Sequence, residues 1–275
     1  MPPWFFITSM ALFGLLFGSF ANVVIWRFPR GESVVAPGSH CPSCETAIAW
    51  YDNIPVFSWL ALRARCRSCG TRIARRYPLV EAASGALFAA AAARFGMSAQ
   101  TAVAAMCFWL LLVLSAIDLD HMRLPNPLVV ALAGLGLCGA VVAQATGVAI
   151  SPLIGVATAG ALSEPLLAAT AGAVLGVAVS GGVAAVYGAV RGVRGLGMGD
   201  VKLLGALGLL LGAYVLMVLF LGSIIGMIFG IASARGRKLS EVRLPFGPSL
   251  AGAAVVTALF GPWVWEAYLR LMGLV

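Results

Sequence analysis

The chain has 275 residues, 61% of them hydrophobic and 10% charged, with a net charge of +8 and a mean hydropathy of +0.99. A soluble domain is nearer half apolar and a quarter charged, so the composition excludes a soluble globular protein. The positive surplus does not read as a nucleic-acid surface, because the basic residues cluster in short segments between long apolar runs, as the positive-inside rule expects of a multi-pass membrane protein.

The apolar runs are rich in Ala, Leu and Gly and lack strict alternation, which favours helices over a barrel. Each crossing needs about 20 apolar residues, and the chain has room for about eight. The first span covers residues 4–26; the start, Met1-Pro-Pro-Trp4, lacks a charged n-region and a small-residue cleavage site, so this span is expected to be retained. A polar loop, 27–77, holds eight arginines against Glu32, Glu45 and Asp52. Spans two and three cover 78–93 and 99–117, span four 127–147 and span five 162–190. Span six opens at Asp200 and is short, span seven ends near Ala234, and span eight covers 248–271. The expected organisation is an all-α polytopic membrane protein: a first helix (1–26), a loop domain (27–77) and a membrane domain (78–275).

With eight spans, the loops after spans one, three, five and seven share one side and hold 16 of the 18 basic residues; Arg94 and Arg270 alone fall opposite. That segregation makes the basic side cytoplasmic and puts both termini outside. Asp118 closes span three and Asp200 opens span six, so both acids are expected at the cytoplasmic face.

The polar loop contains Cys41-Pro-Ser-Cys44 and, after 21 residues, Cys66-Arg-Ser-Cys69. Two such knuckles read as a tetrahedral four-cysteine zinc site, structural because four thiolates leave no open position. A cytoplasmic loop disfavours disulfides, and a loop this small gains its fold from the metal. Cys107 and Cys138 lie in apolar runs and read as packing residues.

An acid at the mouth of a membrane helix is costly. Asp200 has a structural explanation, since a carboxylate suits a helix N-terminus. Asp118 has none of that kind, because a helix C-terminus is the wrong end of the dipole. Glycines at 195, 197 and 199 precede Asp200 and allow close approach of another chain. Two carboxylates in one apolar site share a proton, so one can act as base while the other polarises a carbonyl. The pair therefore points to aspartic proteolysis. His40 and His121 are the only histidines and neither has an obvious serine partner; Asp120 and His121 read as loop surface.

These residues resemble a family. The stretches Gly18-Ser-Phe-Ala-Asn22, the two cysteine knuckles, Tyr51-Asp-Asn-Ile-Pro55, Arg76-Tyr-Pro-Leu-Val-Glu81, Asp118-Leu-Asp-His-Met-Arg-Leu-Pro125, Gly197-Met-Gly-Asp200 and Leu244-Pro-Phe-Gly-Pro248 resemble those of bacterial prepilin peptidases, the GxGD-type membrane aspartic proteases. The resemblance implies that Asp118 and Asp200 are the catalytic pair and that Cys41, Cys44, Cys66 and Cys69 bind zinc. It also implies cleavage of type IV prepilins or pseudopilins at the cytoplasmic face of the bacterial inner membrane. N-methylation of the new amino terminus with S-adenosylmethionine then follows, for which Glu81 and Asn22 are the candidate residues. Asn126 stands where many relatives carry Asp. A basic leader would not be drawn to this basic surface, so recognition is expected to rest on the substrate's apolar helix entering the bilayer. The other readings of the residues are an ion- or proton-coupled transporter using the paired acids, and a non-enzymatic zinc-bearing membrane scaffold.

Overall fold

The computed structural model describes residues 2–148, 151, 164–192, 196–234 and 245–273. Nine α-helices form among the described residues: α1 (Pro3–Arg27), α2 (Phe57–Ala61), α3 (Arg76–Phe95), α4 (Ala99–His121), α5 (Asn126–Thr146), α6 (Pro165–Arg191), α7 (Met198–Leu211), α8 (Val215–Ala234) and α9 (Gly247–Leu271). No strand forms there; two isolated bridges, His40 with Ala47 and Arg65 with Arg72, are the only β pairing among them. Among the described residues six stretches are long and apolar enough to cross a membrane: Pro3–Arg30, Ala99–His121, Asn126–Thr146, Pro165–Arg191, Met198–Ser233 and Gly247–Leu271. The chain is thus an all-helical, multi-pass membrane protein. Among the described residues a helix stands at each of the eight expected spans, but the crossings number six: α7 and α8 merge into one apolar run and α3, interrupted by Glu81, is not among the six. The start of span five at 162, Gly195, the cations Arg194, Arg235, Arg237, Lys238 and Arg243, and Leu244 lie outside the described residues.

Two compact units are present, Met1–Met97 and Ser98–Val275. In the first, α1 starts on Pro3, which suits a first helical turn, and the chain turns at Gly31 in the left-handed region. Helices α1 and α3 meet backbone to backbone. A Cβ on Gly18 would lie 2.5 Å from Glu81 Cα, and one on Gly14 would lie 2.7 Å from the Ser84 carbonyl oxygen. Only the small-xxx-small spacing Gly14-Leu-Leu-Phe-Gly18 permits this approach. The loop between the helices holds α2 and a 3-10 turn, Trp50–Asn53.

In the second unit the core is centred on α7. Phe108, Leu111, Leu114 and Ile117 of α4, Leu132 of α5, and Leu203, Leu204, Leu207, Leu210 and Leu211 of α7 are its largest fully buried side chains. A helix that is apolar all round belongs inside a bundle. At 14 residues α7 is about 21 Å long, short of the roughly 30 Å of a hydrocarbon core. It ends at Gly212, whose φ is 57°, and passes through the 3-10 turn Gly212–Tyr214 into α8. Gly172 of α6 faces Gly208 of α7 so closely that a Cβ on Gly172 would lie 2.5 Å from the Gly208 carbonyl oxygen. Helix α9 packs on α4 and α8.

Candidate functional site

Asp118 sits in the last turn of α4, and its carboxylate is buried at 5% exposure, whereas Asp120 and His121 are exposed. Burial thus separates the two acids of the Asp-x-Asp stretch. The unfavourable end of α4 is offset by another helix. Gly247, the first residue of α9, donates its N–H to Asp118 Oδ2 at 3.0 Å. Asp118 is therefore the anion at the N-terminus of α9, where the orphan N–H groups and the dipole favour it. Asp200 lies in the first turn of α7 and accepts the Gly197 N–H at 3.3 Å. Both acids consequently stand at helix N-termini, one on its own helix and one on a helix 129 residues away.

Leu124 joins the two. Its side chain lies 3.2 Å from where a Cβ on Gly247 would sit and 3.3 Å from where one on Gly199 would sit. It is placed there by Met122, which ends α4 in the left-handed conformation (φ 51°) with its N–H on the Asp118 carbonyl at 2.8 Å. Leu124 thus touches both Gly247, whose N–H holds Asp118, and Gly199, the residue before Asp200. Lys202 Nζ donates to Asn126 Oδ1 at 3.0 Å, tying the second turn of α7 to the start of α5. The glycines before Asp200 thus have local tasks: Gly197 supplies an N–H to the carboxylate and Gly199 makes room for Leu124. Gly247 and Leu124 are the neighbours of the acids that hydropathy alone does not reveal.

The cysteines of the first unit converge. The four Sγ atoms of Cys41, Cys44, Cys66 and Cys69 all lie within 4.8 Å of one another, and Cys41 Sγ is 3.8 Å from Cys69 Sγ. Four thiolates at about 2.3 Å from a tetrahedral ion are separated by about 3.8 Å, so the donor set fits a metal ion of that kind. The two knuckles are built alike. Cys41 N–H donates to the Thr46 carbonyl at 3.0 Å, and Cys66 N–H to the Thr71 carbonyl at 2.8 Å. Glu45 and Gly70, at matching positions, are both left-handed (φ 56° and 71°). The signal was in plain view as a repeat, Cys-x-Ser-Cys-x-Thr-x-Ile-Ala, at 41–49 and again at 66–74. The hydroxyls of Thr46 and Thr71 lie 3.4 and 3.3 Å from Cys44 and Cys69 Sγ. Hydrogen bonding from the Thr71 side chain, and then from its backbone, brings Cys69 down to about 6, toward the thiolate a metal needs.

Glu81 and Asn22 belong to the first unit and are engaged there. Glu81 accepts the Val56 N–H at 2.7 Å and a hydrogen bond from the Ser19 hydroxyl. Val56 has φ 62°, a costly conformation for a β-branched residue, which this carboxylate holds in place. Asn22 donates to the Tyr77 carbonyl at 3.1 Å. His40 makes a local contact, its Nδ1 lying 3.2 Å from the Gly38 carbonyl oxygen.

Comparison with known proteins agrees with the two units. Residues 12–95 match the Bacterial Peptidase A24 N-terminal domain, and residues 105–231 match the Type IV leader peptidase family. The chain is 35% identical over 293 residues to a prepilin leader peptidase/N-methyltransferase of Stutzerimonas stutzeri, covering 98% of this chain and 95% of the relative. It is 34% identical over 296 residues to the Pseudomonas aeruginosa protein of the same name, covering 98% and 96%. A third protein of that name, from Myxococcus xanthus, is 50% identical over 134 residues, 48% of this chain and 40% of its own. No solved structure matches the chain.

Proposed function

The chain belongs to the type IV leader peptidase family, and from that premise we propose that it hydrolyses the leader bond of type IV prepilins or pseudopilins with Asp118 and Asp200 as its two acids. What supports the pairing is the chain of contacts in the second unit: Gly247 on Asp118, Leu124 against both Gly247 and Gly199, and Asp200 next in sequence.

Two carboxylates side by side in a poorly solvated site share one proton. The ionised member takes a proton from water as the oxygen attacks the scissile carbonyl. The protonated member donates to the carbonyl oxygen, and the proton gained by the base then goes to the leaving amine. The α9 N-terminus holds Asp118 in one orientation, and the α7 N-terminus does the same for Asp200. The acids act at the cytoplasmic face of the bacterial inner membrane, where the basic loops lie, and the substrate's apolar helix enters the bilayer beside them.

The four cysteines hold Zn2+ in a closed, structural site that fixes the 27–77 loop. S-adenosylmethionine, when bound, supplies the methyl group for the new amino terminus. Glu81 and Asn22, the candidates for that activity, also brace the first unit, Glu81 accepting from Val56 and Ser19 and Asn22 Nδ2 donating to the Tyr77 carbonyl.

Cleavage of a full-length prepilin in membranes by the wild type, Asp118→Asn and Asp200→Asn tests the acid pair. Removing a proton-transfer group costs about 10²–10⁴-fold, so each variant should lose cleavage to at least that extent. Retained cleavage in both would end the two-acid mechanism. Labelled S-adenosylmethionine offered with cleaved pilin tests the second activity, and an unlabelled amino terminus would leave a peptidase alone.

A further inference from the structure

The segment between the two cysteine knuckles carries an apolar face that the metal cluster does not use. Its side chains sort in two directions. Ser58 is buried, its oxygen accepting the Ile54 N–H at 3.1 Å and its hydroxyl donating to the Tyr51 carbonyl at 2.9 Å. Trp59 donates its indole N–H to the Ile73 carbonyl at 3.2 Å, locking α2 to the second knuckle. Phe57 and Leu60, one turn apart on α2, are 65% and 60% exposed, and Trp50 in the preceding 3-10 turn is 81% exposed. Because Ser58 and Trp59 pin α2, the fold itself turns Phe57 and Leu60 outward. Large apolar groups presented together mark a surface that a partner covers.

Charge identifies the partner. The 27–77 loop has eight arginines against three acids, and one of those acids, Asp52, is taken by Arg67 at 2.6 Å. Arg63 and Arg65, both exposed, follow α2 directly, and the Arg63 N–H returns to the Leu60 carbonyl at 3.0 Å. Exposed cations therefore adjoin the apolar face. Such a surface repels a basic leader peptide and suits an apolar layer fringed with negative charge, which is the interface of a bilayer containing anionic phospholipid. That interface is within reach, because the loop leaves α1 at the end of a stretch able to cross the membrane. Trp and Tyr partition to this depth, and Arg pairs with anionic headgroups there.

We infer that Trp50, Phe57 and Leu60 seat the cysteine loop in the interfacial layer of the bilayer that α1 crosses, with the flanking arginines on anionic phospholipid headgroups. The metal cluster then lies against the membrane surface instead of projecting into water. The test uses the full-length protein in nanodiscs of phosphatidylglycerol and phosphatidylethanolamine. A photo-crosslinking residue, p-benzoylphenylalanine, replaces Trp50, Phe57 or, as a control, the exposed Ser68, and adducts are identified by mass spectrometry. Phospholipid adducts at positions 50 and 57 should exceed those at 68 by at least about tenfold, the ratio that about 1.4 kcal/mol of preference sets. The excess should fall several-fold when phosphatidylcholine replaces phosphatidylglycerol. Equal lipid yields at the three positions, or adducts to an added prepilin or to the chain itself in place of lipid, would overturn the docking. Yields indifferent to headgroup charge would overturn the role of the arginines.

Discussion

Gly247→Ala is the substitution that interrogates the acid pair most directly. The new Cβ would stand 2.6 Å from Asp118 Oδ2 and 3.2 Å from the Leu124 side chain. Restoring an ordinary contact of 3.4 Å requires the carboxylate or the start of α9 to retreat by about 0.8 Å. If the carboxylate recedes, its 3.0 Å hydrogen bond from Gly247 stretches beyond useful range. A hydrogen bond to a charged group contributes about 1.5–3 kcal/mol, and a catalytic group misplaced by about 1 Å costs about 10²-fold. Both routes lead to a fall of about 100-fold in kcat for a membrane-embedded prepilin, with KM little changed. Gly252→Ala, five residues further along α9, is the control, since nothing lies within 4 Å of its Cβ position; it should cleave as wild type does. Gly247→Ala protein with native helical content and cleavage within about threefold of wild type, a difference of under 1 kcal/mol, would refute the proposed hold on Asp118.

The remaining predictions concern the first unit. Gly18→Leu should force α1 from α3, where Glu81 Cα allows no Cβ, costing about 1–3 kcal/mol and lowering the melting temperature in detergent. Stripping the metal with a chelator should remove amide-exchange protection across residues 41–74 while α4–α9 keep theirs, as expected of a loop folded by its ion. Glu45→Gly should relieve a left-handed non-glycine residue, stabilise the loop by about 1 kcal/mol and slow metal loss to a chelator about fivefold.

Hydropathy located the helices to within a few residues, as at 99–117 against Ala99–His121 and at 127–147 against Asn126–Thr146, because charge, proline and glycine punctuate the apolar runs sharply. The cysteine cluster followed from spacing, since two knuckles of this kind have few other uses. The neighbours of Asp118 were beyond such reasoning. Hydropathy orders helices along the membrane normal but says nothing of which lie side by side, so the Gly247–Asp118 bond across 129 residues required coordinates. The same limit hid the close meeting of Gly14 and Gly18 with α3, and their small-xxx-small spacing is not among the motifs read from the sequence above.

The meeting of α6 and α7 at Gly172 and Gly208 has a mechanical consequence. At that point no side chain separates the two helices, so α7, which carries Asp200 in its first turn, packs backbone to backbone on α6. A displacement that carries Asp200 toward a peptide would take α6 along and bend the chain at the three-residue Gly212–Tyr214 turn that joins α7 to α8. Such a motion would work against the lipid drag on the 27-residue α6 as well as on α7, which makes membrane viscosity a lever on its rate.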